Sequence, residues 1–240
     1  MDFLNDSIPV ALEQALAYGS VATLPQLIAA KALADKNNYL WQNKFFNALG
    51  EEVIGTYNGK EYLVTIHGAG VLTPARIRQA INDELISSGS AKLTQDEFNN
   101  LLEEKIVKVY TYEKDIPNPF GHYAIKMPLK IAKKLKSEYQ EKSKFINNPL
   151  VIARNGGRQN LENYFDKAQL FYKAECKRDI NKGMVGNLHW LWLKEEDASI
   201  PHARLLSLTY YKNDCWNSIS CLHSNNLYSK GCFIGIKSNS

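Results

Sequence analysis

The sequence predicts an α+β fold in a single domain with a mixed β-sheet, and three observations carry that prediction. Residues 1–50 hold apolar residues at helical spacing. Residues 51–186 alternate strand-like and helical runs, and two of the junctions pass through a glycine turn. Residues 187–240 read as short strands joined by Asn- and Ser-rich turns, an antiparallel arrangement. The Pro117-to-Gly121 loop is the one candidate boundary, and it is too short for a linker, so residues 1–240 form one domain. No repeat of fixed period is present.

Taken in order, Ile8 to Ala17 is an apolar stretch suited to a helix that ends near Gly19. Thr23 followed by Pro25 starts a second, in which Leu27, Ile28, Ala30, Leu33 and Ala34 recur at helical spacing. Trp41, Phe45 and Leu49 fall at four-residue steps and predict a further helix over Tyr39 to Leu49. Asn58-Gly59 between two β-rich runs marks a two-residue hairpin, because both residues tolerate positive φ. Tyr62, Val64 and Ile66 share one face of its second strand, which ends at His67.

Thr73 then caps a helix with Pro74 at its first position, running to Gly89. Thr94 and Glu97 form a capping box for the next. Ile106 to Tyr112 and His122 to Met127 predict strands. Pro128 to Lys144 predicts a lysine-rich helix, and Leu150 to Ala153 a short buried strand before Asn155-Gly156-Gly157. Leu161, Phe165, Ala168 and Tyr172 line a helix after that turn. Asn187 to Leu193, Ala203 to Tyr211 and Cys232 to Ile236 complete the antiparallel part.

Composition bounds the function without choosing it. With 45% hydrophobic and 22% charged residues the chain can bury a substantial core. Its 22 asparagines mark turns. A net charge of +4 permits a polyanionic partner without demanding one. Four cysteines are too sparse for a disulfide scaffold and favour a reducing compartment. There is no secretory signal pattern and no apolar run near the roughly 20 residues that cross a bilayer. The expectation is a soluble, cytoplasmic protein with no membrane partner.

Two places share one design. His67-Gly68-Ala69-Gly70 and Asn155-Gly156-Gly157 each follow an apolar run and lead into a helix carrying an arginine close to its start, Arg76 and Arg158. A cation at that end opposes the helix dipole, which favours acids there by roughly 0.3–1 kcal/mol. A bound phosphate or carboxylate meeting the exposed N–H groups and the guanidinium offsets that cost. If both preceding strands run parallel in one sheet, His67, Gly68, Gly70, Arg76, Arg154, Gly156, Gly157 and Arg158 converge on a single anion pocket. The ligand would be phosphorylated, a nucleotide or a nucleic acid. The plainer reading is that the glycines turn the chain and the arginines reach solvent or nearby acids. Neither turn is a dinucleotide fingerprint or a Walker loop.

His67 also titrates in the range of a general base, which admits an enzyme acting on a phosphorylated or nucleotide substrate. No cofactor is specified. Cys215, Cys221, His223 and Cys232 can supply a tetrahedral zinc site, although their spacing fits no common finger and Cys232 lies in an apolar strand. Lys130, Lys133, Lys134, Lys136, Lys142 and Lys144, with Lys173, Lys177, Arg178 and Lys182, can track phosphates, or form a solvated face. Trp190 and Trp192 share a strand face that packs a core or meets a partner, consistent with a non-enzymatic subunit of an assembly or a homo-oligomer.

Overall fold

The computed structural model describes residues 1–35, 37–42, 45–87, 89–114, 118, 120–135, 139–176, 182–185, 198–209, 219–221, 223–225, 227 and 230–237. In chain order the first elements are β1 (Asp2–Asn5), α1 (Ile8–Tyr18), β2 (Ser20–Val21), α2 (Leu24–Leu33) and α3 (Tyr39–Gln42). They are followed by β3 (Phe45–Tyr57), β4 (Lys60–His67), α4 (Pro74–Asn82), β5 (Ile86–Ser87), β6 (Ser90–Lys92) and α5 (Gln95–Leu102). Next come β7 (Val109–Thr111), β8 (Tyr123–Pro128), α6 (Leu129–Ala132), β9 (Tyr139–Glu141), α7 (Lys142–Phe145), α8 (Pro149–Asn155) and α9 (Arg158–Cys176). The last are β10 (Lys182–Val185), β11 (His202–Thr209), β12 (Ile219–Cys221), β13 (His223–Asn225) and β14 (Gly231–Ile236).

Among the described residues the main sheet runs β5-β6-β11-β3-β4-β8-β7, and a small second sheet runs β12-β10-β9. Pairing in the main sheet is mostly antiparallel, with β7 parallel to β8. The two ends of the chain meet in it: β14 pairs with β1 and β2 and touches β3 at Phe233 opposite Asn47. Apolar residues bury on both faces of the sheet. One cluster gathers Leu27, Ile28, Trp41, Phe165 and Phe171 from α2, α3 and α9. The other gathers Leu12, Ile77 and Phe98 from α1, α4 and α5. The architecture is one α+β domain with a mixed sheet.

The local signals that worked are those with backbone chemistry behind them. Asn58 and Gly59 take φ of 49° and 71°, the left-handed pair that a two-residue hairpin requires. Thr73 accepts the Arg76 N–H, and Thr94 and Glu97 close a reciprocal capping box.

Four expectations are corrected. Phe45 and Leu49 lie in β3, so the helix expected over Tyr39 to Leu49 is only α3. Its four-residue spacing is equally a strand spacing, because both residues are even steps apart. The α4 helix stops at Asn82, and Gly89 (φ 80°) instead serves the turn between β5 and β6. Within the lysine-rich stretch the described residues form α6, β9 and α7 and not the one helix expected; Lys136 lies outside the described residues. Leu150 to Ala153 is helical. Asn148 accepts the Leu150 and Val151 N–H groups, Pro149 opens the first turn, and Gly156 closes α8 in the left-handed conformation. The second predicted strand–turn–helix unit is therefore helix–turn–helix, and no parallel strand pair joins the two glycine turns.

Candidate functional site

The two turns nevertheless meet. His67 closes β4 opposite Gly50 of β3, and its Nε2 donates to the Ala153 carbonyl of α8 at 2.7 Å. A carbonyl only accepts, so this contact fixes the tautomer with hydrogen on Nε2. Tyr123 packs against the imidazole with ring centroids 5.0 Å apart. The Tyr123 hydroxyl and Pro25 also lie 3.0 Å and 2.6 Å from where a Cβ on Gly156 would stand. Glycine at 156 is thus demanded twice, by that closeness and by its φ of 69°.

Each turn already holds a carboxylate, and both carboxylates belong to the protein. Glu51 and Glu52 are neighbours on β3, so their side chains leave opposite faces of the sheet. Glu51 accepts the N–H groups of Val71 and Leu72, the latter at 2.8 Å, directly after Gly70. A Cβ on Gly70 would collide with that carboxylate. Glu52 takes a bidentate pair from Arg154, with Nε at 2.6 Å and Nη2 at 2.7 Å, and both partners are fully buried. Arg76 is likewise engaged. Its Nε and Nη2 reach the two Glu97 oxygens at 2.7 and 3.2 Å, and Nη2 also donates to the Lys92 carbonyl at 2.7 Å. The unfavourable position of Arg76 in the first turn of α4 is therefore offset from within the chain.

The remaining members of the predicted pocket divide by exposure. Gly68 is buried, with φ 109° and the His122 ring against it. Gly157 (φ 121°) has open space around it, and Arg158 at the start of α9 is exposed. His67 is wholly buried, and burial pushes its pKa down to about 4, so the ring is neutral at physiological pH. Burial pushes Glu51 up to about 7, although the Val71 and Leu72 N–H groups act in the opposite direction. Two open grooves among the described residues lie away from these turns. One of about 460 Å³ at the hairpin tip is lined by residues including Thr56, Asn58, Gly59 and Glu103, and another of about 450 Å³ runs between α2 and α9.

Sequence reasoning passed over Glu51 and Glu52. The available signal was a pair of acids inside the apolar run from Ala48 to Ile54, where a central strand forces both side chains inward and each must find a donor.

Other predicted sites fall partly outside the description. Trp190, Trp192 and Cys215 lie outside the described residues. Cys221 and His223 lie on β12 and β13, and Cys232 is buried in the core. Among the described residues no group of three His, Cys, Asp or Glu side chains can hold a metal ion. No helix among them is long and apolar enough to cross a membrane.

No protein-family model and no curated protein matches this chain. One solved structure does, described as "Accommodation of massive sequence variation in Nanoarchaeota by the C-type lectin fold". It superposes with a TM-score of 0.75 over 99% of this chain and 97% of that one, at 23% identity. This chain has the C-type lectin fold.

Proposed function

We propose that this chain is a non-enzymatic recognition module, in which Glu51 and Glu52 brace the scaffold and the Tyr-, Trp- and Asn-rich sequence after Thr209 recognises a protein partner. The observation that carries the reading is the internal carboxylate in each turn. The Gly70 turn and Arg154, which resemble parts of an anion site, are spent on holding β3 to the entry of α4 and to α8. A buried, neutral His67 is poorly placed to act on a substrate as a base.

Composition supports the second half of the reading. Between Thr209 at the end of β11 and Gly231 at the start of β14, the sequence interleaves Tyr210, Tyr211, Trp216 and Tyr228 with asparagines and serines. Tyr and Trp give large contact area at low entropic cost, while Asn and Ser give adaptable hydrogen bonds, the mixture that antibody paratopes use. The Nanoarchaeota protein is described as accommodating massive sequence variation on this fold, which is what a scaffold separated from its contact surface permits.

The test replaces Tyr210, Tyr211, Asn213, Trp216, Asn217 and Ser218 with alanine together and follows unfolding in urea. The expected change is within about 1 kcal/mol. Glu52→Ala, which removes the buried carboxylate paired with the Arg154 guanidinium, should cost about 3–5 kcal/mol. A cluster variant as unstable as Glu52→Ala would assign those residues to the core and end the proposal.

A second reading keeps an anionic ligand, phosphorylated or nucleotide, at the Gly156–Gly157 turn, because Arg158 there is exposed. Calorimetric titration with inorganic phosphate and ATP separates the two. Binding lost in Arg158→Ala favours the anion site, and silence in the wild type removes it.

A further inference from the structure

The chain contains two Asn-Gly dipeptides, Asn58-Gly59 and Asn155-Gly156, and the fold treats them oppositely. We propose that Asn58 is a site of spontaneous deamidation gated by local opening of the β3–β4 hairpin tip, while Asn155 is protected by the fold.

The chemistry needs only water. The Gly59 backbone nitrogen attacks Cγ of Asn58 and gives up its proton, the Cγ–Nδ2 bond breaks, and ammonia leaves. The resulting five-membered imide is then opened by water at either carbonyl, which yields aspartate or isoaspartate. Glycine in the following position favours the attack because no side chain obstructs the nitrogen.

At the hairpin tip the conditions are met apart from one rotation. Asn58, Gly59, Lys60 and Glu61 are all exposed, and a Cβ placed on Gly59 would have nothing within 4 Å. The ladder ends at Tyr57 opposite Lys60, so the two residues between them are held by the turn alone. Asn58 is held at φ 49°, in the left-handed region that the two-residue turn requires, and closing the five-membered ring needs its side chain and the next peptide to rotate out of that turn geometry. Reaction therefore requires the tip to open, which for an exposed two-residue turn is a low-energy fluctuation.

At Asn155 every requirement fails. The residue is fully buried, and its Nδ2 donates to the Val151 carbonyl. The attacking nitrogen is also committed, because the Gly156 N–H donates to the Ile152 carbonyl as the cap of α8. Pro25 and Tyr123 crowd Gly156 from outside. Freeing this dipeptide means undoing the packing of α8 against α2.

The product changes the surface at the tip. Aspartate or isoaspartate at 58 adds a negative charge to the groove that Asn58 shares with Glu103. Isoaspartate also lengthens the backbone by one atom within a two-residue turn, so the Tyr57–Lys60 register cannot re-form as before.

The experiment incubates the purified full chain in mildly alkaline buffer and follows both peptides by mass mapping, in native buffer and in denaturing urea. Folded, Asn58 should gain about one mass unit with isoaspartate among the products, on the order of a hundredfold faster than Asn155. In urea the two rates should converge. Equal rates in the folded chain would overturn the proposal. So would a ratio that persists in urea, since it would then come from neighbouring residues and not from the fold.

Discussion

Glu51 and His67 stand one on each face of the sheet, both fully buried and both titrating away from their ordinary range. Their effects on stability have opposite signs. Glu51 is raised from 4.5 to about 7, so the folded chain binds its proton more tightly, and the stability it contributes is lost as pH rises from 4.5 to about 7. His67 is lowered from 6.5 to about 4, so its contribution is complete above 6.5 and is lost as pH falls toward 4. Across the overlap the two slopes cancel, and the wild-type melting temperature should be nearly level there. His67→Gln keeps a donor for Ala153 and removes one slope, leaving stability that falls as pH rises. Glu51→Gln leaves the reverse. Melting followed by circular dichroism across pH 4 to 8 checks this, and variant profiles parallel to the wild type would refute it.

Among the elements, β7 shows how an exposed sheet edge is closed. Its inward groups pair with β8: the Lys108 carbonyl accepts from Ala124 at 2.8 Å, and the Tyr112 N–H donates to Lys126 at 3.1 Å. Its outward groups are met locally. Glu104 accepts the Val109 N–H at 3.1 Å, and the Lys114 N–H donates to the Thr111 carbonyl at 3.0 Å. A free edge is a template for pairing with another chain, and these two bonds occupy two of its outward groups. Glu104→Ala should therefore leave the fold intact and raise concentration-dependent self-association, read by light scattering. A variant that stays monomeric at every concentration where the wild type does would show that the carboxylate does not guard the edge. Such element-level logic was legible where side chains bond the backbone, as at Thr73 and Thr94. It was also written at Asn148-Pro149 and Gly156, but the Val-Ile pair between them has strand propensity, and the caps outweighed it.

For the molecule as a whole, β14 is the element that joins beginning to end. It lies between β1 and β2 and touches β3, with Phe233 and Cys232 buried on opposite faces. Asn47 of β3 accepts the Cys232 N–H at 2.8 Å, and the amino group of Met1 donates to the Gly235 carbonyl at 3.1 Å. Removing residues 231–240 should strip partners from two strands and uncover the inner face of α1. The shortened chain should lose cooperative unfolding and the dispersion of its amide NMR spectrum. A cooperatively folding truncation would mean that the closure of the termini is dispensable.

Composition, caps and the Asn-Gly turn determined from the sequence alone that this is one α+β domain, where the hairpin lies, and where α4 and α5 begin. These are short-range matters, settled by hydrogen bonds among residues a few positions apart. Only the tertiary structure decided what the two glycine turns hold. Glu51 lies 20 residues from Val71, and Glu52 lies 102 from Arg154, so the carboxylate that answers each turn comes from a strand whose place no local pattern specifies. A buried charge must find its counterpart wherever the chain brings one, and that meeting is a property of the packed whole.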